Sequence, residues 1–242
     1  MAFFTLLKLC HKHNAERGNN KPAKHLFVDN SLCYVQRYVK FSYLREPIMH
    51  THTKDYYRSN AQNYAKRTLS IDVDDIRGRF MAYLAPGSSI LDVGCGSGRD
   101  LCAFTESGFP ATGVDSAEEM CASARRHSGC KVYNTPFENF TPCRPHDGIW
   151  AMASLVHLPD KDMPPSLQRI WSWLKKGGIF YASFKDKSGA GVTSDGRVFN
   201  GFSLDEVTQL FGNLQGAEVL ETWSTQDETR HRVWQNIILR KN

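Results

Sequence analysis

The stretch that most limits how this chain folds is SILDVGCGSGRD, residues 89–100, where an apolar strand runs directly into glycines at positions 94, 96 and 98. Glycine has no Cβ, so it adopts backbone angles that other residues avoid and lets the main chain pass close to another group. A helix that begins near Gly98 points its free N–H groups toward the same place. This order of strand, glycine turn and helix predicts a parallel sheet with a ligand site at the carboxyl end of the strand.

Strand-like and helix-like segments keep alternating after this turn. The predicted strands, in chain order, are SILDV, FPATGVD, CKVYN, DGIWAMAS and GGIFYASF. Strands separated by helices imply right-handed crossovers and a parallel sheet that is covered on both faces. The last two predicted strands, AEVLETWS and RVWQNIILR, are separated by too few residues for a crossover, so we expect them to pair antiparallel. Capping boxes are predicted at Ser116 with Glu119 and at Ser203 with Glu206.

The charge of the chain is distributed unevenly. Lys and Arg outnumber Asp and Glu by 8 to 3 in residues 1–48, whereas residues 49–242 contain 22 of each. We interpret residues 49–242 as the functional domain and residues 1–48 as a basic extension that is either disordered or an over-long start. The neutral domain lacks the basic excess expected of a protein that wraps duplex DNA, so a nucleic-acid partner is not expected.

Cysteine usage and hydropathy indicate a cytoplasmic protein. The seven cysteines form no C-x-x-C pair, and such an odd, scattered set predicts reduced thiols and neither disulfides nor a metal site. No run of 18 apolar residues is present, so no membrane span is expected. The apolar start lacks the preceding positive charges and the small-residue cleavage site of a secretory signal, so we expect none.

Two acidic residues suggest which ligand the glycine turn holds. Asp115 ends the second predicted strand, 23 residues after Asp92, where a carboxylate accepts hydrogen bonds from ribose hydroxyls. The glycine spacing is G-x-G-x-G rather than the G-x-G-x-x-G of dinucleotide sites. Asp92, two residues before the first glycine, repels a pyrophosphate and attracts an ammonium group. These features favour S-adenosylmethionine, which carries an adenosine and an amino acid but no phosphate.

The motifs ILDVGCGSGRD, GVDSAEEM, FENF, HDGIWAMASLVHLP and LKKGGIFYASFK follow one another in an order and spacing that resemble a known family. Over about residues 54–242 the chain resembles the class I S-adenosylmethionine-dependent methyltransferases, and within them the small-molecule branch that includes the tellurite-resistance type. The resemblance implies an α/β, doubly wound, Rossmann-like sheet of seven strands, mostly parallel with one antiparallel strand, in the order 3-2-1-4-5-7-6. It also implies methyl transfer to a small-molecule acceptor by direct displacement.

Site residues follow from the resemblance position by position. The implied cofactor contacts are Asp92, Gly94, Cys95, Gly96, Asp115, Ser116, Met120, Phe137, Glu138 and Ala151. Among these, the residues of the glycine turn hold the methionine end and Asp115 holds the ribose, while Ala151 begins the segment that approaches the sulfonium. Tyr56, Tyr57 and Tyr64 match an aromatic lid, and the candidate acceptor contacts are Tyr57, Tyr64, Arg197 and Phe199.

The candidate catalytic residue is His157, as a base or an acceptor contact, and its alternative is a structural histidine at a strand end. A base is needed only if the attacking atom carries a proton, because positioning alone accelerates an in-line displacement. Arg197 likewise has the alternative of a solvated loop residue. Two other functions stay open: a nicotinamide-dependent oxidoreductase, which binds NAD, and a non-catalytic binding module, which binds the cofactor weakly or not at all.

Overall fold

A computed structural model describes residues 51–227 and 232–242 of the chain. Its strands are β1 (Ile90–Val93), β2 (Ala111–Asp115), β3 (Lys131–Asn134), β4 (His146–Ala151), β5 (Leu174–Lys185), β6 (Gly191–Val192), β7 (Val198–Phe199), β8 (Ala217–Asp227) and β9 (Arg232–Lys241). Seven of them form one sheet in the order β3-β2-β1-β4-β5-β9-β8, while β6 and β7 form a separate two-stranded sheet. Within the seven-stranded sheet β9 alone runs opposite to the other six strands, so the predicted order and the single antiparallel strand are confirmed.

Six α-helices are present in the described residues. They are α1 (Thr51–Leu69), α2 (Asp74–Ala82), α3 (Arg99–Glu106), α4 (Glu118–Ser128), α5 (Met163–Ser172) and α6 (Leu204–Gly212). Each crossover between parallel strands therefore contains a helix or helical turn, as the alternation predicted. No helix among these residues combines the length and the apolarity needed to cross a membrane.

Successive side chains of a strand point to opposite sides of the sheet. The side chains on both of these faces are buried in a hydrophobic core. Leu91 of β1 and Phe180 of β5 belong to the core on one face, whereas Ile90, Trp150 and Tyr181 belong to the core on the other. The rings of Trp150 and Tyr181 stack with their centroids 4.0 Å apart. With both faces covered, the edge formed by the carboxyl ends of the strands is where a ligand can reach the sheet.

The two predicted capping boxes have different outcomes. Ser203 and Glu206 form one at the start of α6, as predicted. The capping box predicted at Ser116 is wrong, because α4 begins at Glu118 and no side chain caps it. Instead the Asp115 carboxylate accepts a hydrogen bond from the Ala117 backbone N–H at 2.9 Å. Asp115 thus binds a backbone donor at the start of this helix and leaves Ser116 at the surface of the candidate site.

The sequence did not predict two kinds of short element. The sheet formed by β6 and β7 was missed because two-residue strands leave no periodic pattern. The same holds for the short turns Leu155–His157 and Lys187–Gly189. The interpretation of residues 1–48 as a basic extension concerns residues outside the described part of the chain, so it stays a prediction.

Candidate active site

Two adjoining cavities open where the strands end. A large cavity of about 690 Å³ lies at the carboxyl ends of β1, β4 and β5, and a small cavity of about 90 Å³ lies at the ends of β2 and β3. Residues that line both are Tyr57, Tyr64, Gly94, Gly96, Met152 and Ala153. The cavities therefore meet at the glycine turn, on the edge of the sheet that the sequence indicated.

The three glycines of the turn serve different purposes. All three have positive φ angles, from 51° to 86°. A Cβ on Gly94 would lie 2.4 Å from the Cβ of Ser154, so glycine permits the close approach of the β1 and β4 ends. A Cβ on Gly98 would lie 2.7 Å from the Ala124 Cα, so this glycine permits α3 to pack on α4. Gly96 has nothing within 4 Å of that position and lines both cavities, so its backbone is open to a ligand.

Asp115 links the glycine turn to α4. One carboxylate oxygen accepts from the Gly96 backbone N–H and the other from the Ala117 N–H, each at 2.9 Å. Burial raises the pKa of Asp115, and these backbone donors oppose the rise. A carboxylate oxygen can accept more than one hydrogen bond, and Asp115 lines the small cavity, so the carboxylate can also accept hydrogen bonds from a ligand.

Asp92 is a buried carboxylate at the floor of the large cavity, only 3% exposed. Within residues 51–227 and 232–242 we find no group that donates a hydrogen bond to it. Burial raises its pKa well above the usual range, the charge of Asp100 adds to the rise, and Arg99 opposes it. A cationic group placed beside Asp92 would stabilise the ionised form, so this carboxylate suits an ammonium ligand.

A buried charged cluster lies beneath Asp92 and was missed in the sequence. Asp100 accepts hydrogen bonds from Arg77 at 2.6 Å, from Arg99 at 2.8 and 2.9 Å, and from the Trp150 indole at 3.0 Å. Arg99 also contacts the Met152 sulfur, which lines both cavities. Burial would raise the pKa of Asp100, but Arg99 and Arg77 lower it, so the carboxylate stays ionised. The sequence signal that could have predicted this cluster is the Arg-Asp pair directly after Gly98.

The wall of the small cavity contains four of the cofactor contacts that the resemblance implies. Ser116, Met120, Phe137 and Glu138 line it. The expected residue Cys95 lines the large cavity. Its sulfur lies 2.7 Å from the place of a Cβ on Gly113 and therefore points into the core.

The end of β4 differs from the prediction in one residue. Ala151 is fully buried in the core and lines neither cavity, because its side chain lies on the covered face of the strand. Met152 and Ala153 line the cavities in its place. Ala153 has a φ of 51° and donates its backbone N–H to the Ser183 hydroxyl at 2.9 Å. The Ser154 hydroxyl oxygen is buried and has no hydrogen-bond partner in the described part of the chain, so it is available to a ligand.

Helix α1 covers both cavities. Tyr57 and Tyr64 line both, and their rings meet edge to face with centroids 5.0 Å apart. Near the start of the helix the Thr53 hydroxyl accepts from the Val198 backbone N–H at 3.1 Å, and near its end Thr68 lies 3.2 Å from the Ser97 hydroxyl. The helix is thus attached at both ends, to β7 and to the glycine turn, as expected of a lid.

His157 holds Tyr57 in place. The Val198 carbonyl lies 2.7 Å from the His157 Nδ1, and a carbonyl only accepts, so Nδ1 carries the proton. The other ring nitrogen, Nε2, therefore accepts from the Tyr57 hydroxyl at 2.9 Å. Burial lowers the pKa of His157 to about 4, so the ring is neutral. Because Tyr57 occupies the basic nitrogen, this geometry favours a positioning role for His157.

We expect the His157 imidazole to stay neutral from pH 8 down to about pH 5. Its pKa of about 4 lies below that of a histidine in the unfolded chain, about 6.5. The stability that this difference contributes is therefore complete above pH 6.5 and is lost as the pH falls from there toward 4. An NMR titration of protein with ¹³C-labelled histidine measures the midpoint, and His157→Gln identifies the signal. A midpoint near 6.5 would contradict the buried, neutral ring.

Arg197 is buried and paired with a neighbouring acid, so it is not the solvated loop residue that the sequence left as its alternative. Its Nε and one terminal nitrogen donate to the two Asp195 oxygens at 3.0 and 2.7 Å. These two donors of the guanidinium are therefore already used within the chain. The guanidinium also lies 4.2 Å from the ring centroid of Tyr56. Arg197 and Phe199 both line the large cavity, as predicted, and Lys185, which was missed, lies beside them. The sequence signal that could have identified Lys185 is a charged residue at the carboxyl end of a buried strand.

Comparison with known proteins agrees with this architecture. Residues 90–178 match a family described as a methyltransferase domain. This segment is therefore similar to a methyltransferase domain, and the strand order of the sheet is in keeping with that similarity. The matched segment begins at β1 and ends within β5, so it includes the glycine turn, Asp92 and Asp115.

Similar proteins include two curated relatives and one solved structure. The domain is 36% identical over 106 residues to a ubiquinone biosynthesis O-methyltransferase of Bordetella parapertussis, covering 40% of this chain and 43% of that protein. It is 26% identical over 159 residues to phosphoethanolamine N-methyltransferase 3 of Arabidopsis thaliana, covering 62% of this chain and 32% of that protein. The crystal structure of the Burkholderia thailandensis 1,6-didemethyltoxoflavin-N1-methyltransferase aligns with a TM-score of 0.67 at 20% identity, covering 79% of this chain and 88% of that one. The chain thus spans less than half of the length of these two curated relatives.

Proposed function

We propose that this methyltransferase domain transfers a methyl group from S-adenosylmethionine to a small-molecule acceptor. The observation that carries the proposal is the pair of carboxylates on either side of the glycine turn. Asp92 is buried without a described hydrogen-bond donor and suits the α-ammonium group of the cofactor. Asp115 lines the small cavity, and each of its oxygens can accept a hydrogen bond besides the one from the backbone, so it suits the ribose hydroxyls.

Other residues of the two cavities fit the rest of this cofactor. The open space above Gly96 lets its main chain contact the methionine portion. Met120 and Phe137 supply apolar surface for the adenine, and the unpartnered Ser154 hydroxyl supplies a hydrogen-bonding group at the junction of β4 with the cavities. The bound cofactor supplies an electrophilic methyl group on a sulfonium.

The chain itself contributes orientation and the exclusion of water. An in-line displacement gains much of its rate when the reacting atoms are held close together in the correct line. Tyr57 and Tyr64 cover the cavities from α1, which supports a role for this helix in shielding the reaction from water. Burial raises the pKa of Tyr57 well above its usual range, so it remains a phenol. Its proton is directed to His157, and its oxygen also interacts with the side chains of Arg197 and Tyr64, so its orientation in the wall of the cavities is fixed.

The size of the large cavity supports a small-molecule acceptor. Its volume of about 690 Å³ lies within the range of roughly 300–1,000 Å³ of cavities that hold small ligands. The names of the two curated relatives refer to phosphoethanolamine and to ubiquinone biosynthesis, both of which are small-molecule chemistry. The even charge balance of residues 49–242 agrees with this choice over a nucleic acid.

Calorimetric titration of the full chain with S-adenosylmethionine and, separately, with NAD tests the proposed cofactor. We expect saturable binding of S-adenosylmethionine with a dissociation constant on the order of 1–100 μM, and no binding of NAD. Binding of NAD alone would favour the oxidoreductase. A folded protein that binds neither would favour the non-catalytic module.

A further inference from the structure

Lys185 is a buried cation with no partner of opposite charge in the part of the chain that the structure describes. It is the last residue of β5, is 3% exposed and lines the large cavity. Its Nζ lies 3.2 Å from the ring centroid of Phe199. Among residues 51–227 and 232–242 no carboxylate or other hydrogen-bond acceptor pairs with this Nζ. A buried ammonium group without an acceptor is costly, so its surroundings are incomplete without an anion.

The charges nearby do not neutralise Lys185. Burial, with the positive charges of Arg232 and Arg197, lowers its pKa to about 8, and Asp195 opposes the fall. Asp195 itself is held by Arg197 through two hydrogen bonds. Asp195 is therefore already paired with another cation, and an added negative group would be attracted to Lys185, Arg197 and Arg232.

Asp92 and Lys185, two buried charges of the large cavity without an ion-pair partner among the described residues, lie on different strands. Asp92, on β1, suits the cationic end of the cofactor, whereas Lys185 ends β5, two strands away in the sheet order. The surface around Lys185 is aromatic, since Phe199 contacts it and Trp234 is its partner across the β5–β9 pairing. Tyr57 completes the wall on the side of α1. A ligand that fits here has a flat or apolar body and a negative group.

We propose that the methyl acceptor is an anionic small molecule whose carboxylate or phosphate binds the Lys185 Nζ at the β5 end of the large cavity. This inference rests on the proposed function, because it names the acceptor of that reaction. In it Arg197 is a positioning residue: paired with Asp195 and stacked on Tyr56, it supports the wall without gripping the substrate. The negative group on Lys185 fixes one end of the acceptor and leaves its other end to approach the methyl group.

Binding of matched probes tests the role of Lys185 without knowledge of the natural acceptor. The full chain is saturated with S-adenosylhomocysteine and titrated with benzoate, phenyl phosphate and the uncharged benzamide, by calorimetry and by tryptophan fluorescence. We expect at least one of the two anions to bind about tenfold or more tightly than benzamide. The tighter of the two identifies the negative group as a carboxylate or as a phosphate.

Variants at both ends of β5 supply the controls. Lys185→Met is expected to weaken the preferred anion about tenfold or more and to leave the affinities for benzamide and S-adenosylhomocysteine unchanged. Lys176→Met, the same change at the exposed opposite end of the strand, is expected to change none of them. Lys185→Arg keeps the charge and is expected to stay within a few-fold of the wild type, which preserves the test if the methionine variant fails to fold.

The outcomes separate this inference from the proposed function. If S-adenosylhomocysteine binds but the anions bind no better than benzamide, or none of the probes binds, the inference is wrong and the cofactor assignment stands. An equal anion affinity in wild type and Lys185→Met would also overturn it. If S-adenosylhomocysteine does not bind while benzoate or phenyl phosphate binds through Lys185, the anion site stands and the proposed function fails.

Discussion

Replacing Asp100 with alanine is expected to lower the free energy of unfolding by about 3–5 kcal/mol, the usual result of removing one member of a buried ion pair. The Asp100 carboxylate accepts from Arg77, Arg99 and the Trp150 indole, and it is 6% exposed. Without it, Arg77 and the Trp150 N–H remain buried with an acceptor lost. Urea unfolding followed by circular dichroism measures the change.

Asp74→Ala is the matched control for this prediction. Asp74 pairs with the same Arg77 but has 78% of its side chain exposed. An exposed ion pair contributes about 0–1 kcal/mol, so the control variant is expected to lose no more than that. Equal losses in the two variants would show that burial of Asp100 has little energetic consequence.

Replacing Asp115 with alanine is expected to weaken binding of S-adenosylmethionine by about 100-fold, which is about 3 kcal/mol of binding free energy. Two effects combine. The variant removes the carboxylate proposed to bind the ribose, and it releases the Gly96 N–H from the bond that shapes the glycine turn. Calorimetric titration of the full chain measures the affinity, and a thermal melt establishes that the variant is folded at the temperature used.

Glu119→Ala provides the comparison for Asp115→Ala. Glu119 is an exposed acid in the first turn of α4, four residues after Asp115, and it lines neither cavity. Its replacement removes the same charge and is expected to change the affinity less than twofold. If both variants lose affinity equally, a long-range effect of negative charge explains the result better than a contact at Asp115.

The local patterns of the sequence predicted the type of sheet that the structure contains. Alternating strands and helices, followed by two strands with a short separation, predicted a mostly parallel sheet with an antiparallel pair at its end, and the family resemblance implied the strand order that the structure has. The same local reasoning placed Asp92 and Asp115 at the correct edge, because a residue at the carboxyl end of a parallel strand lies there whatever the packing of its side chain. It failed at Ser116, where the preceding Asp115 reaches the backbone donor first.

Contacts between distant residues were beyond those patterns. The sequence could not distinguish Gly94, which faces Ser154, from Gly98, which faces Ala124, since both occur in the same G-x-G-x-G run. Nor did it show that Arg197 is already paired with Asp195 in the folded chain, although only one residue separates them. Conformation decides such pairs, because spacing alone does not say which way a loop side chain points.

The sequence by itself determined the class of fold, the position of the ligand edge and two of its carboxylates, because strand length, helix period and glycine conformation are local properties. Which side chains pair with one another was decided only by the tertiary structure. Asp100 meets a tryptophan 50 residues away, and His157 meets a tyrosine 100 residues away. That Lys185 has no acceptor among the described residues is evident only when the neighbouring elements are in place, because burial and pairing depend on how the packed elements surround a side chain.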